Sequence, residues 1–290
     1  MLMKPSAEVI ERLVQMALLE DAPWGDLTSD ALIPTSTRIT AQLVAREEGV
    51  LSGADVFSMT MSLANREIIT QFRFADGEHF SAGDTLAVVE GPAQGILRAE
   101  RVALNFVQRM CGIATLTAKY VAKTAGTKAR IVDTRKTTPG LRVLERYAVR
   151  CGGGQNHRFS LSDALLAKDN HLAILAADGR QSIREALMSA RAAVPHTIRM
   201  EVEVDRLDEI EAVLVAGVDT IMFDNFTVQD LRRGVEHVSG RALVEASGGI
   251  TLDRIGEVAS TGVDIISVGA LTHSVRSLDL GLDIQPPHIA

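Results

Sequence analysis

From residue 129 to residue 268 the sequence alternates short β-forming runs with helical ones. The β runs are ARIVD at 129–133, ALLAKD at 164–169, IRMEVEV at 198–204, DTIMF at 219–223, ALVEA at 242–246 and DIISV at 264–268. Segments 182–194, 207–216 and 252–261 have the apolar periodicity and length of covering helices. This alternation restricts the fold strongly, because parallel strands require long crossovers and helices are what usually cover them. A doubly wound open sheet and a barrel both remain. The polar residues separate them: the runs end in Asp133 with Arg135 and Lys136, then Lys168, Glu203, Asp224, Ser247 and Gly269. Groups converging from the ends of many strands suit a barrel mouth, whereas an open sheet collects its ligands at one switch point. The predicted class is α/β, with a six-stranded α/β barrel as the catalytic domain over 113–274.

The N-terminal part follows a different pattern. Val9, Ile10, Leu13, Val14, Ala17 and Leu18 recur at helical spacing behind Ser6, a suitable N-cap. TRITAQLVARE, EIITQFRF and TLAVVEG then read as strands separated by turn signals, which predicts a small antiparallel sheet in an N-terminal domain over 1–112. Helical periodicity returns from 96 to 121, with a break expected at Cys111 and Gly112. The tail, 275–290, is expected to pack back on the N-terminal domain.

A formal net charge of −7 opposes a nucleic-acid surface, which needs a broad excess of Lys and Arg. No run reaches the roughly 18 apolar residues of a membrane span, and the first residues mix charge into their apolar positions, unlike a signal peptide. Two cysteines, Cys111 and Cys151, do not make a disulfide framework, so a reducing cytoplasmic compartment is expected.

The densest signal runs from Asp133 to His171. Between Arg135 and Lys168 the residues Arg135, Lys136, Arg142, Arg146, Arg150, Arg158 and Lys168 face only Glu145 and Asp163, a cationic island in an acidic chain. Arg142, Arg146 and Arg150 fall at helical spacing, where a solvated face is the plain expectation, with Glu145 as a local partner. Arg135 and Lys136 follow a strand, His157 and Arg158 follow the glycine run 152–154, and Lys168 ends the next strand. Arg offers a fork matched to carboxylates and phosphates, and Lys a compact charge. Glu201, Glu203 and Asp205 share one strand face by alternation. Asp224 ends an apolar strand, where a buried carboxylate needs a partner such as a metal ion or sugar hydroxyls. Pairing of these acids with the island's cations for purely structural ends is the competing reading. Ser247, Gly248 and Gly249, and Val268, Gly269 and Ala270, close the last two strands with exposed backbone N–H groups suited to phosphate. His171, His273, Cys111 and Cys151 show no zinc spacing and receive no role.

DTRKTTPG at 133–140, CGGGQNHR at 151–158, KDNH at 168–171, EVEVD at 201–205, DNF at 224–226, SGG at 247–249 and VGALTHS at 268–274, with EDAPWGDLTSD at 20–30, resemble the signature motifs of the quinolinate phosphoribosyltransferase family. The resemblance spans nearly the whole chain. It implies an open-faced α/β sandwich beside an irregular six-stranded α/β barrel. It also implies decarboxylating phosphoribosyl transfer in NAD biosynthesis, with quinolinate and phosphoribosyl pyrophosphate as substrates. The implied assembly is a homodimer, or a larger assembly of dimers, in which Arg101 reaches the neighbour's site. Arg135, His157, Arg158 and Lys168 would face the quinolinate carboxylates, Lys136 and Lys168 the phosphoribosyl donor, and Thr134 would be a further substrate-binding residue. Glu203 and Asp224 would serve the ribose and magnesium, and the 247–249 and 268–270 segments the 5-phosphate. Lys136, Lys168, Glu203 and Asp224 form the implied catalytic set. A paralogue tied to molybdenum transport, a nicotinate-specific transferase and a catalytically silent barrel are the rivals. Intact Arg135, His157, Arg158 and Lys168 weigh against the first; a nicotinate enzyme would need fewer cations for its single carboxylate, and a silent barrel predicts gaps at the chemical positions, where the sequence has none.

Overall fold

The computed structural model describes residues 4–178 and 182–284. Two compact units emerge, and they interleave along the chain. One comprises 1–118, 137–153 and 271–290; the other comprises 119–136 and 154–270. These compact units are not divided at residue 112; the chain passes between them several times.

In the first unit, helix α1 (Ala7–Asp21) starts at Ser6, whose side chain accepts the N–H of Val9, and buries Ile10 and Val14. Helix α2 (Leu27–Leu32) is capped by Asp26. Strand β1 (Arg38–Ala45) and the short β2 (Gly49–Val50) lead to α3 (Ala54–Ala64), then β3 (Ile69–Phe72), β4 (His79–Phe80), β5 (Thr85–Pro92) and the long helix α4 (Ala93–Ala122). Helix α5 (Arg142–Cys151) belongs to this unit too. Its sheet has the order β12-β1-β5-β3, where β12 (Leu280–Ile284) pairs antiparallel with β1. The tail therefore reaches the N-terminal sheet as a strand; residues 285–290 lie outside the described residues. Alternation in β1 sends Ala41, Leu43 and Ala45 inward, and Leu43 and Ala45 join Phe57, Met61, Leu86, Ile96, Val107 and Cys111 in one core.

Helix α4 runs 30 residues without the break expected at Cys111 and Gly112. Gly112 serves closeness instead of bending: a Cβ there would fall on the backbone oxygen of Arg276. The solvated face expected on α5 is also absent, since Arg146 is buried and Arg142 and Arg150 are half-buried. Glu145, 1% exposed, pairs with Arg109 of α4.

In the second unit the six runs read as strands from sequence all form: β6 (Arg130–Val132), β7 (Leu165–Ala167), β8 (Met200–Val204), β9 (Thr220–Asp224), β10 (Leu243–Ser247) and β11 (Ile265–Ser267). Helices α6 (Asp169–Asp178), α7 (Ile183–Ala193), α8 (Ile210–Val215), α9 (Val228–Val238) and α10 (Ile255–Ala259) follow these strands, and α11 (Ala270–His273) begins at the last residue of this unit. All pairings are parallel, in the order β6-β11-β10-β9-β8-β7. From β7 to β11 each strand neighbours the next, so there is no reversal of winding. The first strand bonds to the last, as an α/β barrel requires, and the irregularity falls between β6 and β7, where Gln155 bridges Val132. Among the described residues no helix is long and apolar enough to cross a membrane.

In an ordinary helix interior Gly→Ala stabilises by about 1 kcal/mol. Gly112→Ala is predicted to have the opposite sign, destabilising by about 1–3 kcal/mol through overpacking against the Arg276 backbone. Chemical denaturation checks this; a variant as stable as wild type would contradict the close-approach role.

Candidate active site

Strand register stacks the polar side chains in rows inside the barrel. Glu203 of β8 is level with Met222 of β9, which is level with Glu245 of β10 and, through it, Ile265 of β11. One row toward the strand starts, Leu166, Glu201, Thr220 and Leu243 align. One row toward the strand ends, Asp224 is level with Ser247. Lys168 follows the last registered pair of β7, Ala167 with Val202, and so stands opposite Glu203; the two form an ion pair at 3.1 Å. Two expected site residues are therefore joined to each other, with Lys168 half exposed and Glu203 buried.

His157 sits at the centre of a second arrangement. Its Nε2 lies 3.0 Å from Glu201 and 3.5 Å from Glu245, side chains on strands that flank β9, so the ring spans β9 on the inner face of the sheet. Its backbone N–H donates to Asp133, fully buried at the end of β6, which also accepts from the Asn156 amide at 2.6 Å. Burial opposes charge on the ring, but hydrogen bonds to Glu201 and Glu245 outweigh it and push the His157 pKa up to about 10. The N–H of Arg158, 2.8 Å from Nδ1, opposes the second proton. An N–H deprived of its acceptor costs about 1–3 kcal/mol, and a buried charge deprived of its partner about 3–5 kcal/mol. The raised pKa favours the charged ring, while the Arg158 N–H at Nδ1 favours the neutral ring with its proton on Nε2. Burial raises Glu201 to about 7, with Glu245 adding to the rise and His157 opposing it. One oxygen of each glutamate, Oε1, is buried without a hydrogen-bond partner.

Arg158 donates from Nη1 to the backbone oxygen of Ala164 at 2.9 Å. Burial lowers its pKa, and the nearby charge of Arg135 lowers it further, a sign of crowded guanidiniums. Arg135 is half-buried; Lys136 is exposed, and its N–H donates to the Thr134 hydroxyl in a tight turn after β6. Asn225, with φ of 58°, donates its amide to Asp224 at 2.7 Å. Gly248 has φ of 92°, and a Cβ there would overlap the Asn225 side chain, so glycine is required twice over. Beside this turn a cavity of about 320 Å³ is lined by Ser247, Gly248, Gly249, Arg254 and Thr227, the N-cap of α9. Val268 is buried and continues the β11–β6 ladder through its N–H to Val132, with Gly269 and Ala270 half-buried behind it. These residues all lie in one unit; Arg101 lies in the other, exposed on α4.

Two domain models match the chain in tandem: "Quinolinate phosphoribosyl transferase, N-terminal domain" over residues 26–111 and "Quinolinate phosphoribosyl transferase, C-terminal domain" over 113–283. The chain belongs to the quinolinate phosphoribosyltransferase family. It is 44% identical over 279 residues to the nicotinate-nucleotide pyrophosphorylase [carboxylating] of Mycobacterium leprae, covering 93% of this chain and 95% of that one. It is 41% identical to the probable enzyme of that name from Bacillus subtilis, covering 95% and 93%. NadC from Streptococcus pyogenes superposes with a TM-score of 0.93 at 38% identity, over 98% of this chain and 99% of that one.

Sequence reasoning gave Glu245 and Asn156 no role, and named Asp133 as a strand-end group and Glu201 as an inward-facing acid without assigning either to the site. The signal for Glu245 was present: ALVEA is an apolar strand with one carboxylate, which folding alone would not favour.

With a folded pKa above its unfolded value of about 6.5, His157 contributes stability that is complete below that pH and fades as pH rises through about 10. The melting-temperature advantage of wild type over His157→Gln is predicted to shrink across that window. An advantage that grows with pH would contradict the charged ring.

Proposed function

We propose that the chain is a decarboxylating quinolinate phosphoribosyltransferase. It joins quinolinate to phosphoribosyl pyrophosphate and releases nicotinate mononucleotide, pyrophosphate and carbon dioxide in NAD biosynthesis. The observation that carries this reading is the gathering of Arg135, His157, Arg158 and Lys168 with Glu203 and Asp224 in the barrel unit of a chain of this family.

The chemistry explains the residue types. A dianionic pyridine must approach a strongly anionic donor, and fixed cations in a water-poor site offset the repulsion. The ring nitrogen forms a bond to the anomeric carbon as the bond to pyrophosphate breaks. The resulting quaternary nitrogen stabilises the electron pair left at C2 when the adjacent carboxylate departs as carbon dioxide, and C2 then takes a proton. Arg135, His157, Arg158 and Lys168 hold the carboxylates, while Thr134, Lys136 and Lys168 address the donor. Backbone N–H groups of Ser247, Gly248, Gly249, Val268, Gly269 and Ala270 take the 5-phosphate. Glu203 and Asp224 hold ribose hydroxyls and would hold Mg2+. Two carboxylates on adjacent strands suit a cation that keeps waters and is bound largely through substrate phosphate, and Mg2+ would neutralise charge on the leaving pyrophosphate. Both cysteines are buried free thiols, consistent with a reducing cytoplasmic location.

The working form is a homodimer, or an assembly of dimers, with shared sites. Met16, Leu19, Trp24, Leu27 and Leu32 are all at least 65% exposed in a short stretch, more apolar surface than a solitary subunit ordinarily leaves to water. Arg101 stands on α4, which precedes the first barrel strand in the chain.

Calorimetric titration with quinolinate, nicotinate and phthalate tests the reading: tight binding is expected for quinolinate and weak binding for nicotinate. Equal affinity for nicotinate would overturn it. Arg158→Lys is predicted to weaken quinolinate binding about tenfold with little change in melting temperature, because an ammonium does not replace a fork. Mixing inactive Arg101→Ala and Lys136→Ala subunits is predicted to restore about a quarter of wild-type activity in reciprocal dimers. No restoration despite confirmed subunit exchange would place Arg101 in its own subunit's site.

A further inference from the structure

We infer that Glu245 and Glu201 are positioning residues: they hold the His157 ring, whose Nδ1 accepts from the Arg158 N–H, and so fix Arg158 where its guanidinium meets a quinolinate carboxylate. This rests on the proposed role of Arg158 and adds residues to it. Glu245 is 1% exposed in the middle of β10, between Val244 and Ala246, and Glu201 is 9% exposed on β8. Neither carboxylate is needed for strand pairing, which is a backbone matter. An aliphatic side chain at either place would fill the space without leaving Oε1 of each glutamate buried and unpartnered. What both carboxylates have in common is Nε2 of one ring, at 3.0 and 3.5 Å.

The geometry fixes His157 from two ends. Asp133 anchors its backbone N–H at 2.8 Å, and the glutamates anchor the far ring nitrogen. The ring can therefore neither flip nor swing without breaking a buried contact. A second carboxylate makes the restraint directional: one acceptor would leave the ring free to pivot about a single hydrogen bond, and two define its plane. Coordination of a metal by the same three side chains is disfavoured by Arg158, whose N–H points at Nδ1, where a metal-bound imidazole would itself need to donate.

The test is steady-state kinetics on Glu245→Gln, Glu201→Gln, His157→Gln and each Glu→Gln combined with His157→Gln. Turnover of quinolinate by wild type is the prior control; its absence would count against the proposed function. Given that turnover, Glu245→Gln is expected to raise KM for quinolinate about tenfold while KM for phosphoribosyl pyrophosphate stays within about twofold. The effect is expected to vanish in the His157→Gln background. Glu201→Gln should give the same pattern and serves where Glu245→Gln does not fold. Should neither fold, the wild-type protein decides: a slowly exchanging Nε2–H signal in the nitrogen-proton spectrum, assigned by its loss in His157→Gln, is expected, and its absence overturns the inference. Unchanged kinetics, equal changes in both KM values, or full additivity with His157→Gln would also overturn it. So would a stoichiometric metal in wild type that is lost in Glu245→Gln.

Discussion

Mutual repulsion among gathered cations is the constraint around which the barrel unit is organised. Arg135 is close enough to Arg158 to disfavour its charge, and His157 and Lys168 stand in the same unit. Such a cluster is stable without substrate only if fixed negative charge stands behind it. The strands supply that charge as buried carboxylates: Asp133 at the end of β6, Glu201 and Glu203 on β8, and Glu245 on β10. A ligand with two carboxylates then arrives at groups that are already oriented, and reorganisation is small when charge shifts during reaction.

The fold makes this arrangement possible through register. Because β7 to β11 wind in one sense and β11 closes onto β6, each strand end contributes to one mouth. Two-residue alternation lets β8 place Glu201 under the histidine and Glu203 under Lys168 while Met200, Val202 and Val204 stay buried on the other face. The interleaving of the two units, with 137–153 joining the N-terminal part, explains why Glu145 and Arg146 of the apparent cationic island are buried and serve packing.

Much of this was legible in the residues. All six barrel strands fell where β-formers alternated with helical segments, and the polar strand ends marked the mouth. The reading failed where a residue's purpose depends on what lies across from it. Gly112 looks like a helix break until the Arg276 backbone is seen against it. Arg146 looks solvated until the helix that carries it packs against the N-terminal core. Glu245 carries no motif; only its pairing with a histidine from a distant segment gives it meaning. Strand β12 is similar, since LGLDI gains strand character from its ladder with β1.

The central claim is decarboxylating transfer, and release of carbon dioxide from quinolinate labelled in its 2-carboxylate tests it most directly. Label is expected to leave one-for-one with pyrophosphate, only when phosphoribosyl pyrophosphate and Mg2+ are both present, with nicotinate mononucleotide as the nucleotide product. Pyrophosphate formation with retention of the label, or efficient transfer to nicotinate in place of quinolinate, would contradict it.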